Sequence, residues 1–135
     1  MPIRVLVVDD HRSLRQLFDL CLSFEDDLEL VGTASDGRQA VQLAAELRPD
    51  AVVLDSHLPD GDGIDLLPTL LQTVPEATVV MFSAWGDTAS QAQAMHRGAR
   101  SFLVKDRDSV TDVIAELRSA GQGGPPRSAS ATHAA

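Results

Sequence analysis

The feature that most constrains the fold is an alternation that recurs five times: a short β-branched run, then a stretch with helical periodicity. Ile3 to Val8 is such a run and ends at two aspartates, as expected of a strand buried on both faces. Leu14, Leu17, Phe18, Cys21 and Leu22 follow at the spacing of one helical face. Leu28 to Thr33 reads as the second strand. The second helix spans about Gly37 to Leu47, carries Ala40, Val41, Ala44 and Leu47, and stops before Pro49. Ala51 to Leu54 is the third strand. After the loop-like "SHLPDGDG" comes a short helix with Ile64, Leu67, Leu70 and Leu71, in which Pro68 falls early enough to be tolerated. Thr78 to Phe82 is the fourth strand, and an Ala-rich helix from about Thr88 to His96 is ended by Gly98. Ser101 to Val104 is the fifth strand, and Val110, Val113, Ile114 and Leu117 mark the last helix.

Strict βα alternation requires a parallel sheet with helices on both faces, because parallel neighbours are joined by right-handed crossovers. The 135 residues are enough for one core and too few for two ordinary ones. The expectation is an α/β, flavodoxin-like, doubly wound five-stranded parallel sheet, (βα)5, with strand order 2-1-3-4-5. Residues 1–120 would form this domain. Residues 121–135, "GQGGPPRSASATHAA", lack apolar periodicity and read as a flexible tail or linker.

In an open α/β sheet, ligands bind beyond the carboxyl ends of the strands. Strand one ends in Asp9 and Asp10, strand three in Asp55, strand four in Ser83 and strand five in Lys105. Three carboxylates, a hydroxyl and the chain's one lysine therefore converge on one edge. Two bare carboxylates about 4 Å apart repel by roughly 4 kcal/mol at an effective dielectric near 20, so the cluster calls for a cation. Oxygen donors of this number suit Mg²⁺ better than Ca²⁺. Asp55 is then the candidate nucleophile toward a phosphoryl group, with Lys105 neutralising its oxygens and Ser83 donating a hydrogen bond. Taken singly, Asp10 reads equally as the cap of the first helix, Asp55 as a turn residue, Ser83 as a cap and Lys105 as a surface charge.

The set "VVDDHRSLR", "VVLDSHLPDGDG", "MFSA" and "GARSFLVKD" resembles, over residues 3 to about 119, the receiver domain of two-component response regulators. The resemblance implies that a histidine kinase or phosphotransfer protein donates a phosphoryl group to Asp55. It also implies that Asp10, Asp55 and the backbone carbonyl of His57 ligate Mg²⁺, with Asp9 acting through water. Ser83 and Phe102 would be the two switch residues and Lys105 the phosphate contact. His57 and Trp85 would flank the phosphoryl group and tune its hydrolysis. The face of the fourth helix, fifth strand and fifth helix would receive partners or a second copy. Asp106, where many receivers have proline, and Leu58, where methionine is common, are mild departures. The "DDH" start and Lys-Asp pair look like the NarL and LuxR branch, whose members carry a helix-turn-helix domain that is missing from these residues. The chain reads as the receiver of a transcriptional regulator or as a stand-alone receiver, a signalling module and not an enzyme.

Charge supports part of this. Twenty acidic residues against 11 basic ones give −9, which argues against a nucleic-acid surface. No apolar run reaches the roughly 18 residues of a membrane span, and the lone Cys21 fits a cytoplasmic protein. His11, His57, His96 and His133 lack zinc-site spacing, and none is expected to ligate a metal through its side chain. "FEDDLEL" reads as a solvated loop. A Mg²⁺-dependent aspartate-nucleophile phosphohydrolase is disfavoured because its Asp-x-Asp spacing is missing: His11 follows Asp9 and Arg12 follows Asp10 at that interval. A flavin-binding flavodoxin is disfavoured by the acidic first loop.

Overall fold

Side chains alternate across a strand, and along β1 (Ile3–Val8) that alternation feeds two separate cores. Leu6 and Val8 enter one core with Ala40, Ala44, Leu67 and Leu70. Val5 and Val7 enter the other with Phe18, Leu22, Val113 and Leu117. The computed structural model describes residues 1–125, and β1 lies near the middle of its sheet.

The main elements follow the expected alternation: α1 (Arg12–Ser23), β2 (Leu28–Ala34), α2 (Gly37–Leu47), β3 (Ala51–Leu54), β4 (His57–Leu58), β5 (Gly61–Asp62), α3 (Gly63–Thr73), β6 (Thr78–Ser83), α4 (Thr88–His96), β7 (Ser101–Val104) and α5 (Val110–Gly121). The sheet is parallel with order β2-β1-β3-β6-β7, which is 2-1-3-4-5 when its own strands are counted. The fold is therefore the flavodoxin-like one expected. The first core packs α2, α3 and α4 on one sheet face, and the second packs α1 and α5 on the other. Among the described residues no helix is long and apolar enough to cross a membrane.

Local chemistry sets the helix ends. Asp36, Asp62 and Asp87 accept from backbone amides at the starts of α2, α3 and α4, and Ser109 forms a capping box with Asp112 on α5. Gly98, with φ +109, turns the chain after α4 where a side chain would be strained. Pro68 lies within α3 and has no N–H for the Ile64 carbonyl; Arg97 Nη1 donates to that carbonyl at 3.3 Å.

Two expectations need correction. The stretch read as an open loop contains the antiparallel pair β4 and β5, because Asp62 and Gly61 return along His57 and Leu58. "FEDDLEL" is more than a solvated loop: its Glu25 and Asp27 carboxylates both accept from Arg118 of α5. α5 continues through Gly121, and Arg100 Nη2 donates to the Gly124 carbonyl at 2.6 Å. The remainder of the expected tail, 126–135 with His133, lies outside the described residues.

Candidate functional site

Strand period decides which side chains meet beyond the sheet. Asp9 continues the parity of Val5 and Val7, Asp55 that of Ala51 and Val53, and Lys105 that of Leu103, all directed toward the α1/α5 core. All three meet. Lys105 Nζ lies 2.7 Å from Asp9 Oδ2 and 3.4 Å from Asp55 Oδ2. Its ammonium also stands 6.0 Å from the centroid of the Phe82 ring, which closes the apolar side of the site.

Both Asp9 and Asp55 are buried. Burial pushes the Asp55 carboxyl above its ordinary value, and the adjacent Asp9 charge pushes in the same direction; Lys105 and the His57 amide oppose them. That amide donates to Asp55 Oδ1 at 3.2 Å. Gly63 makes this approach possible. A Cβ there would lie 2.0 Å from the Asp55 carbonyl oxygen, and the Gly63 N–H donates to the Ser56 carbonyl at 2.8 Å. The start of α3 is thus pressed against the end of β3.

Asp10 does not cap α1. The cap position is His11, which makes no side-chain capping bond. Its ring turns back instead: His11 Nδ1 is 2.8 Å from Asp9 Oδ1 and 3.1 Å from Asp10 Oδ1. Donor atoms of Asp9, Asp10, His11 and Asp55 all lie within 4.8 Å of one another. His11 thus stands beside the three carboxylates, because the helix start folds it onto its two acidic neighbours.

Ser83 and Phe102 occupy different surroundings from the carboxylates. Phe102 is buried in the α2–α4 core. Ser83 is buried, accepts from the Trp85 N–H at 3.1 Å, and is in hydrogen-bond contact with the Ser56 hydroxyl. Ser56 Oγ is in turn 3.1 Å from His57 Nδ1. The Trp85 ring is 66% exposed and tilted over His57, with centroids 5.9 Å apart. Ser56 did not stand out in the sequence, although it shares the parity of Val52 and Leu54.

The family profile for the response regulator receiver domain matches residues 5–117. The chain belongs to that family. The receiver domain is 33% identical over 122 residues to the nitrate/nitrite response regulator protein NarL of Escherichia coli K12, covering 90% of this chain and 56% of the relative. The signal receiver domain of the response regulator NarL from Mycobacterium tuberculosis has a TM-score of 0.82 at 30% identity, with 90% of this chain and 98% of that one covered. The CheX-CheY-BeF3-Mg²⁺ complex from Borrelia burgdorferi gives 0.76 at 28%, with 90% of each chain covered. This receiver spans between 34% and 58% of the length of the curated relatives it matches. It is a receiver domain of two-component response regulators, and two relatives from Bacillus subtilis, LnrK and YhcZ, are named as transcriptional regulatory proteins.

Proposed function

We propose that Asp55 accepts a phosphoryl group from a histidine kinase or phosphotransfer protein, and that the resulting change in the domain's surface controls an output. The observation that carries this reading is the position of Lys105 Nζ between Asp9 and Asp55. A buried carboxylate held beside one ammonium can attack phosphorus and have the added negative charge neutralised where it develops. In the transfer, an Asp55 oxygen bonds to phosphorus as the P–N bond to the donor's histidine breaks, and the imidazole nitrogen leaves with the electron pair.

The donor set fits a hard divalent ion. Asp9, Asp10 and Asp55 supply closely spaced carboxylate oxygens with one ammonium among them. Asp10, Asp55 and the His57 carbonyl would hold Mg²⁺, with Asp9 acting through water. Mg²⁺ so bound supplies charge neutralisation on the phosphoryl oxygens. Lys105 orients Asp55 and binds the product's phosphoryl oxygen. Ser83 turns to donate to another of those oxygens, and Phe102 moves with it as the second switch residue. Trp85 and His57 restrict water at the same group.

The output is transcriptional; relatives named as transcriptional regulatory proteins support this. The α4, β7 and α5 face is where a second copy would dock. Incubating the protein with acetyl phosphate and Mg²⁺ tests the chemistry: intact mass should increase by one phosphoryl group. Persistence of that increase in Asp55→Asn would remove Asp55 from the role.

A further inference from the structure

We propose that Ser56 is a positioning residue for Ser83, a latch that holds the Ser83 hydroxyl away from Asp55 until a phosphoryl group draws it across. This rests on the phosphoacceptor reading above and deepens it.

The register of β3 and β6 creates the pair. Leu54 stands beside Met81, and two residues further along the same face Ser56 stands beside Ser83. Both hydroxyls are buried, so neither can exchange its partner for bulk water. Their contacts form a closed set. The Trp85 N–H occupies one lone pair of Ser83 Oγ, Ser83 meets Ser56, and Ser56 meets His57 Nδ1. Each hydroxyl has a single proton to give. The latched state is the arrangement in which His57 Nδ1 accepts from Ser56 and Ser56 accepts from Ser83, which leaves no Ser83 proton for Asp55. None of Ser83's side-chain bonds reaches Asp55.

A phosphoryl oxygen on Asp55 asks for that same Ser83 proton. Donating to it breaks the bond to Ser56, so the bond exists in the resting domain alone and stabilises only that state. Removing it shifts the balance toward the phosphoryl-bound form, since a ligand shifts an equilibrium only through its differential interaction with the two states. One neutral hydrogen bond is worth roughly a threefold to tenfold change in that balance.

The test uses beryllofluoride with Mg²⁺ as the phosphoryl mimic, titrated calorimetrically into the full chain. Ser56→Ala, which only removes an atom from a buried position, should bind the mimic about threefold to tenfold more tightly than wild type. In a Ser83→Ala background the same substitution should change nothing, because Ser56 acts through Ser83. Equal or weaker affinity in Ser56→Ala overturns the proposal while leaving the phosphoacceptor reading intact. So does an equal gain in the Ser83→Ala background, which would indicate loosening of the fold. A wild-type chain that takes up neither beryllofluoride nor a phosphoryl group overturns both.

Discussion

Lys105 Nζ sits 2.7 Å from Asp9 Oδ2, an ion pair between β7 and β1, which are separated in the sheet by β3 and β6. The same Lys105 nitrogen lies 3.4 Å from Asp55 Oδ2 at the end of β3. Replacing Lys105 by methionine keeps the stem's volume and leaves two buried carboxylates facing each other. Breaking such a pair costs on the order of 3 kcal/mol when no other cation is available. Lys105→Met should therefore melt roughly 6–12 °C below wild type in chelator, at roughly 2–4 °C per kcal/mol. Added Mg²⁺ should raise the variant's midpoint more than the wild type's. Equal Mg²⁺ increments in thermal melts would show that lysine and metal do not serve the same charges.

Asp55 gives a pH dependence whose sign follows from its raised carboxyl. An acid with a higher pKa in the folded state binds more protons folded than unfolded, so its ionisation costs stability as pH rises. The cost is absent below the ordinary value of 3.8, grows as pH climbs through the folded value, and then levels off. Asparagine stays neutral throughout. Asp55→Asn should melt above wild type at pH 7 without metal, and the gap should close as pH falls toward 4. A gap that is constant with pH would assign the gain to packing instead.

Residues dominated by strand period and strand ends were legible in the sequence. The cores, the sheet order and the meeting of Asp9, Asp55 and Lys105 all follow from alternating side chains on short apolar runs that stop at charged residues. His11 was missed because its place depends on how the first turn of α1 leaves the strand, which linear spacing does not encode. Ser56 was missed because a serine beside an aspartate looks like loop chemistry until the β3 and β6 register places it opposite Ser83. The β4 and β5 pair spans only two residues per strand, too short for alternation to register. Residues 121–124 lack apolar side chains, so the Gly124 contacts were not legible: they run through backbone groups, its N–H donating to Ser119 and its carbonyl accepting from Arg100.

Arg97 and Pro68 should be energetically coupled. The Ile64 carbonyl that Pro68 cannot serve accepts from Arg97 Nη1, and the same nitrogen pairs with Asp65. Arg97→Met should lower stability by about 1 kcal/mol, the value of one hydrogen bond. Pro68→Ala restores the helical donor, so in that background the Arg97→Met cost should fall to a few tenths of a kcal/mol, the residue of its exposed pair with Asp65. Urea denaturation of the four proteins reads the coupling directly. Additive effects would mean that the arginine does not compensate for the proline.

Trp85 offers the last test, on phosphoryl lifetime. Hydrolysis of an aspartyl phosphate needs a water on the open side of phosphorus, and the proposed shield is His57 with the Trp85 ring tilted over it. The ring is largely exposed, so truncating it removes cover without opening a core cavity. Trp85→Ala should shorten the adduct's lifetime by about threefold to tenfold, equivalent to at most ~1.4 kcal/mol in the barrier, while the melting temperature changes little. Because the ring rests on His57, His57→Ala and the double variant should show less than additive acceleration. Decay of the phosphorylated mass after donor removal measures this, and an unchanged rate in Trp85→Ala would exclude the ring as the shield.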